Sequence, residues 1–254
     1  MIDEGALTLF LLITARMSGF VLFNPLLSRQ NIPGVFRAGF ALVLSVFTYS
    51  VEGGRIAPPA GILPLAAALL MEMAIGLILG MVVQFFFYIP QMAGLAIDTQ
   101  MGMTMNQIYD SGSHSNMSVT GTLLNALMIL LFFCGNGHHT LIRIMVTSSE
   151  IVAYGNVSIG HDVTNLMLEL FIQCTLLAVK LAMPILAAEL IGQLGMGVLM
   201  KVIPQINVFS INIELKVLIG LALLVLLMTP FSEFLLEAER TMLNSLHNLL
   251  VLMG

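Results

Sequence analysis

Apolar residues along the chain gather into six long runs, near 5 to 23, 36 to 51, 62 to 89, 121 to 147, 164 to 200 and 211 to 229. Their lengths predict helices, so the expected fold class is all-α: a polytopic membrane protein of bent helices and helical hairpins. Several runs do not fit a bilayer as simple crossings. A straight helix over 62 to 89 would reach roughly 42 Å, against a hydrocarbon core of about 30 Å. The run from 164 to 200 is longer still and carries Pro184, which predicts a kink or a break there. The run from 36 to 51 is short and predicts a half-span or a shallow helix. Asn24-Pro25 and Ile32-Pro33-Gly34 turn the chain after the first element, and Gly53-Gly54 with Pro58-Pro59 makes the second break. Thr229-Pro230 reads as an N-cap followed by Pro at the first helical position, opening a last helix that runs to about Leu252. On that helix Phe231, Phe234, Leu235, Ala238, Met242, Leu246, Leu249 and Leu250 share one face, and Glu233, Glu237, Arg240, Asn244 and Asn248 lie opposite. The polar face carries little Lys or Arg, which favours packing on protein over lying on a lipid surface.

One stretch interrupts this pattern. Residues 91 to 120, QMAGLAIDTQMGMTMNQIYDSGSHSNMSVT, are polar and rich in Gly and Met, and are set between two apolar runs. Irregular backbone at membrane depth is tolerated only where it is buried in protein or lines a water-filled path. The expectation is a segment that conducts or blocks something.

Composition agrees with membrane insertion: 58% of residues are hydrophobic, 9% are charged, and mean hydropathy is +1.00, outside the range of soluble domains. The acidic start Met1-Ile2-Asp3-Glu4, with no small-residue cleavage site after the first run, predicts that the first span is retained. Cys134 and Cys174 both lie in apolar runs and read as small hydrophobes rather than as a disulfide. A net charge of -5 with nine scattered basic residues excludes a nucleic-acid surface. Arg29 and Arg37, then Lys201 and Lys216, place the first and fifth connections, and the third between them, on the cytoplasmic side.

Arg16, Glu72, Glu169, Lys180 and Glu189 stand inside apolar runs. Facing lipid at a helix centre, five such charges would cost about 15 kcal/mol, which rivals the whole stability of a typical fold, about 5 to 15 kcal/mol. They are therefore paired, turned inward, lifted out of the hydrocarbon or covered by other subunits. An ion or proton relay is the sharper alternative to structural pairing. Gly76-x-x-x-Gly80 and Gly192, Gly195 and Gly197 permit the close helix approach that interior or inter-subunit surfaces need. Adjacent His138 and His139 point some 100° apart on a helix and have no Cys or carboxylate at i+4, so no metal is expected. No Ser-His-Asp set, phosphate loop or HExxH motif is visible, and neither catalysis nor a cofactor is expected. Of 19 methionines, Met92, Met101, Met103 and Met105 cluster in the polar stretch, either as plastic core filling or as a gasket around an extended polypeptide.

Four pieces in order, ARMSGFVLFNPLLSRQNIPGVFRAGFAL, AGLAIDTQMGMTMNQIYD, GNGHH with Ser148-Ser149, and IPQINVFSINIELK, resemble the flagellar biosynthetic protein FliR family across nearly the whole chain. Two departures concern loops: Ser111 stands where the family commonly has Pro, and Tyr154-Gly155 stands near another common Pro. The resemblance implies a subunit of the type III secretion export gate in the bacterial inner membrane, at the flagellar basal body. It would assemble with FliP and FliQ into a channel, with FlhB at the cytoplasmic entrance. The fold would join a FliP-like portion, residues 1 to 163, to a FliQ-like hairpin with the amphipathic helix, residues 164 to 254. By position, the family's plug loop falls on Asn106, Gln107, Ile108, Tyr109, Asp110, Ser111, Gly112, Ser113, His114, Ser115 and Asn116, with Met101, Met103 and Met105 beside the constriction. Pro204, Gln205, Asn207 and Lys216 resemble the entrance motif. Two other readings stay open: a stand-alone proton-coupled transporter or ion channel using Glu72, Glu169, Lys180 and Glu189, and a scaffold that only nucleates assembly.

Overall fold

The computed structural model describes residues 4–27, 32–54, 56, 61–103, 108–110, 115–155, 160–202 and 208–254. In chain order these hold α1 (Glu4–Phe23), α2 (Gly34–Glu52), α3 (Ile62–Met101), β1 (Ile108–Asp110), β2 (Ser115–Met117), α4 (Val119–Cys134), α5 (Gly137–Val146), α6 (Ser148–Ile151), α7 (His161–Val202), α8 (Val208–Leu226) and α9 (Met228–Met253). The polytopic helical class expected from the apolar runs holds, with one short antiparallel hairpin added between α3 and α4. Four helices, α1, α2, α3 and α7, are long and apolar enough to cross a membrane. Six spans result if α4 with α5, bent by 67°, and α8 with α9, bent by 62°, each count as one.

Helix ends follow local chemistry. Asn24 closes α1: its N–H donates to Phe20 O, and its side-chain oxygen accepts from Leu26 N at 2.9 Å, which turns the chain. Gly53 ends α2 in the left-handed conformation, φ 57°, with its N–H on Tyr49 O. Four expectations are corrected. Backbone from Gln91 is helical for eleven more residues, because α3 continues through Pro90 to Met101. A buried stripe at Ile89, Ala93, Ile97 and Met101, one residue every four, carries the helix past the missing N–H. Likewise α7 is one helix of 42 residues with Pro184 inside, flanked by buried Leu181, Ala182 and Ile185. With 19 residues, about 28 Å, α2 is long enough for a full span. Finally, α9 begins at Met228 with Thr229 and Pro230 in its first turn, and Leu227 O accepts the Phe231 N–H. The amphipathic reading of α9 stands: Phe231, Leu235, Ala238, Met242, Leu246, Leu249 and Leu250 are buried, while Glu233, Glu237, Arg240, Asn244 and Asn248 are exposed.

Two compact units emerge, Met1–Phe86 with Asn136–Phe171 and Arg240–Gly254, and Phe87–Gly135 with Ile172–Glu239. The long helices α3, α7 and α9 each contribute one end to each unit. In the first, α1 crosses α3 with backbones touching. A Cβ on Gly76 would overlap Arg16 O and stand 2.6 Å from Phe20 N, and one on Gly80 would lie 3.0 Å from Phe23 Cβ. The glycine spacing therefore marks a helix crossing, as the sequence predicts. Leu12, Ile13, Met17, Ile75 and Leu79 fill the core around it. In the second unit α3 meets α4 in the same manner: a Cβ on Gly94 would overlap the backbone of Gly121. The Phe87 and Phe132 rings meet edge to face, with centroids 5.8 Å apart.

At 40 and 42 residues, α3 and α7 are about 60 Å long, twice the hydrocarbon thickness. A tilt of 40°, the upper end of the usual range, still leaves a projection of about 46 Å. Neither length fits a single straight crossing of the bilayer.

Candidate functional site

The polar stretch singled out in the sequence comprises the last turns of α3, a short two-stranded hairpin and the start of α4, and α3 and α4 cross at its two ends. Strands β1 and β2 pair Ile108 with Met117, Tyr109 with Asn116 and Asp110 with Ser115. Gly102, φ 78°, ends α3, a conformation that glycine adopts without strain. Ser118 starts α4 as its N-cap, its hydroxyl accepting from Gly121 N at 2.9 Å. One turn back on α3, the carboxylate of Asp98 is 1% exposed. One of its oxygens accepts the backbone N–H of Thr120 at 3.2 Å, and the other accepts the Thr120 hydroxyl in a short hydrogen bond. Thr120 is the second helical residue of α4, so Asp98 satisfies one of the four N–H groups that a helix start leaves open, while Ser118 satisfies the next. Its negative charge also faces the positive end of the α4 dipole.

Within this region Met101 is fully buried and packs on Gly220 of α8, where an added Cβ would come within 2.7 Å of three side-chain atoms of Met101. Met103 is half-buried. Ile108, Tyr109 and Asp110 form β1, and Ser115 and Asn116 lie in β2. Met105, Asn106, Gln107, Ser111, Gly112, Ser113 and His114 lie outside the described residues, as do Pro204, Gln205 and Asn207 of the expected entrance. Lys216, on α8, is half-buried.

The charges within the apolar runs divide into three groups. Arg16 and Glu72 form a pair buried to 0% exposure, Nε to Oε2 at 2.7 Å. Arg16 also donates to Ser148 Oγ at 3.0 Å and to Val152 O at 3.1 Å, and its guanidinium lies 4.2 Å from the Tyr154 ring centroid. Glu72 completes the knot by accepting the Gly155 N–H at 2.8 Å. Two helices and the 148–155 turn are thus tied at one point. Burial pushes the Tyr154 phenol up to about 12, against the pull of Arg16. Glu189 on α7 is 1% exposed and has no hydrogen-bond partner on either oxygen among the described residues, with Lys216 within electrostatic reach. Glu169 and Lys180 are exposed on α7. They stand eleven residues, about 16 Å, apart along the helix, too far to pair with each other. Among the described residues, no group of three or more His, Cys, Asp or Glu side chains is placed to hold a metal ion.

Asp98 and Glu239 are buried carboxylates that the sequence does not single out, and Asp98 is the one at the polar stretch. Asp98 lies beyond the apolar run 62 to 89 and so escapes the set of charges within apolar runs. The four-residue spacing of Ile89, Ala93, Ile97 and Met101 is the signal that would have kept it on the helix.

Residues 7–242 match the family described as bacterial export proteins, family 1. Among curated relatives, the flagellar biosynthetic protein FliR of Bacillus subtilis (strain 168) is 26% identical, over 96% of this chain and 95% of that protein. FliR of Escherichia coli (strain K12) is 28% identical, over 87% of this chain and 85% of the relative. The Yop proteins translocation protein T of Yersinia pestis is also 28% identical, over 89% of this chain and 87% of its own length.

Proposed function

The chain belongs to the bacterial export proteins, family 1, over most of its length, and from that premise we propose that it is a subunit of the flagellar type III export gate. With FliP and FliQ it forms a channel for unfolded flagellar proteins, and FlhB joins at the cytoplasmic entrance of the complex in the inner membrane. A FliP-like portion spans residues 1 to 163 and a FliQ-like portion residues 164 to 254. The plug is the segment 106 to 116, with Met101, Met103 and Met105 at its approach, and Pro204, Gln205, Asn207 and Lys216 at the mouth.

The observation that carries this reading is full-length similarity to FliR proteins, which cover 85% and 95% of their own length in the two cases above. Two features of the chain support it. Helices about twice as long as the hydrocarbon is thick suit a subunit raised partly out of the bilayer. Apolar side chains on α7 such as Ile191, Leu194 and Val202 are at least 70% exposed, and the same helix carries exposed Glu169 and Lys180. A surface mixing bare charge with apolar side chains suits protein neighbours better than lipid. A lone proton-coupled transporter is less well supported, because Arg16 already neutralises Glu72 inside a closed structural knot.

Deleting residues 106 to 116 tests the plug. Gates assembled with FliP and FliQ should leak ions or small solutes several-fold faster than those carrying the intact chain, and unchanged leakage would remove the plug from these residues. Purification tests the assembly: a hetero-oligomer is expected, and a monodisperse lone chain that transports solute in liposomes would favour the transporter instead.

A further inference from the structure

We propose that the Asp98–Thr120 contact is a static clasp that positions the β1–β2 hairpin, so that any movement of the hairpin occurs above it and the crossing of α3 and α4 stays closed. This rests on the reading of the segment as a plug, and it assigns the residues that hold the plug in place.

The argument starts from burial. Asp98 and Thr120 are 1% and 3% exposed, and both carboxylate oxygens are engaged by the same residue. Opening the contact would strand a buried carboxylate and return an unpaired N–H to the start of α4, a loss far larger than that of a neutral surface contact. Gly94 and Gly121 press the two backbones together at the same level, with no side chain between them that could slide. Gly121 is itself bonded to the Ser118 cap, so the helix start, the cap and the clasp form one unit. Directly beside that unit stand Gly102, at φ 78°, and Met117, the last residue of β2, three residues before Thr120. Rigid crossing and turning point are therefore adjacent in the chain, and the boundary between them lies between Met101 and Gly102 on one side and between Met117 and Ser118 on the other. Met101, seated on Gly220, reinforces the first of these boundaries.

The test uses the full chain assembled with its partner subunits, with Cys134→Ser and Cys174→Ala as background. Cysteines at the paired positions Ile108 and Met117, the two ends of the hairpin, report by their cross-linking rate how closely those ends are held together. Adding Asp98→Asn or Thr120→Val should slow that rate by about tenfold, a factor within what a hydrogen bond to a charged group supplies. Thr120→Ser, which retains both donors, should restore it. The same substitutions, without the reporter cysteines, should raise gate leakage toward that of the 106 to 116 deletion while leaving the amount of assembled gate unchanged. A cross-linking rate indifferent to Asp98→Asn overturns the clasp, whatever the leakage shows. A deletion that fails to leak removes the plug reading alone, and the cross-linking rates then still decide the clasp. Export separates a static clasp from a latch. A disulfide joining Asp98→Cys to Thr120→Cys should leave export running in the oxidised state, and export blocked by oxidation and recovered by reduction would show that the contact must open.

Discussion

Replacing Arg16 with Met removes the centre of the buried knot, and the structure fixes what each variant should lose. The pair is fully enclosed, so Arg16→Met leaves the buried Glu72 carboxylate with the Gly155 N–H as its one partner among the described residues. Breaking one side of a buried pair costs about 3 to 5 kcal/mol, and Glu72→Met should cost a similar amount by stranding the guanidinium. The double variant behaves differently, since both charges are gone and two flexible apolar side chains occupy the space. Ser148 keeps its bond to Met145 O, and Gly155, being exposed, can satisfy its N–H with water. Only Val152 O loses a partner in a buried setting, at about 1 to 3 kcal/mol. The expected pattern is two damaging singles and a milder double, a coupling of at least about 3 kcal/mol between residues 56 positions apart. Denaturant titration of the purified chain in mild detergent, followed by circular dichroism, measures all four corners of the cycle. Additive losses, or a double variant worse than either single, would refute the closed knot.

The α1–α3 crossing has little tolerance for added volume. Gly76→Ala should destabilise by about 1 to 3 kcal/mol in the same titration, because backbone rather than a flexible side chain meets the new methyl, whereas Gly195→Ala, with nothing within 4 Å, should be close to neutral. For Tyr154, a phenol shifted from 10.0 to about 12 stabilises the folded chain fully below pH 10, and that contribution is lost as pH rises toward 12. Ultraviolet titration of the native chain against Tyr154→Phe should show one phenol ionising late, and an ordinary midpoint for the difference spectrum would contradict its burial beside Arg16.

Helix positions were largely readable from the apolar runs. The first run, 5 to 23, matches α1 at Glu4–Phe23 within one residue, and the two faces of α9 separate as their spacing predicts. Local signals failed where tertiary burial overrode them. Pro184 reads as a kink or a break and the apolar run before Pro90 as the end of its helix, yet the apolar stripes beside both prolines are buried and both helices continue unbroken. The need for charge pairing was legible, but the partners were not: nothing near Arg16 in the sequence points to Glu72 rather than to Glu169 or Glu189. The clasp was hidden for a related reason. An Asp in a polar-looking stretch draws no notice until the stretch proves to be the buried end of a long apolar helix.

The separation of Arg16 from Glu72 also has a consequence for how the chain is made. At about 5 to 20 residues per second, a ribosome needs roughly 3 to 11 seconds to add the 56 positions between them. During that interval the first helix carries Arg16 without the Glu72 carboxylate that pairs with it in the fold, a state that favours staying near the headgroups or the insertion machinery over settling into lipid. Arg16 gains its counter-charge only when the third helix has been made, so the α1–α3 pairing waits for α3. The order of synthesis, and not only the final geometry, is thus written into one ion pair.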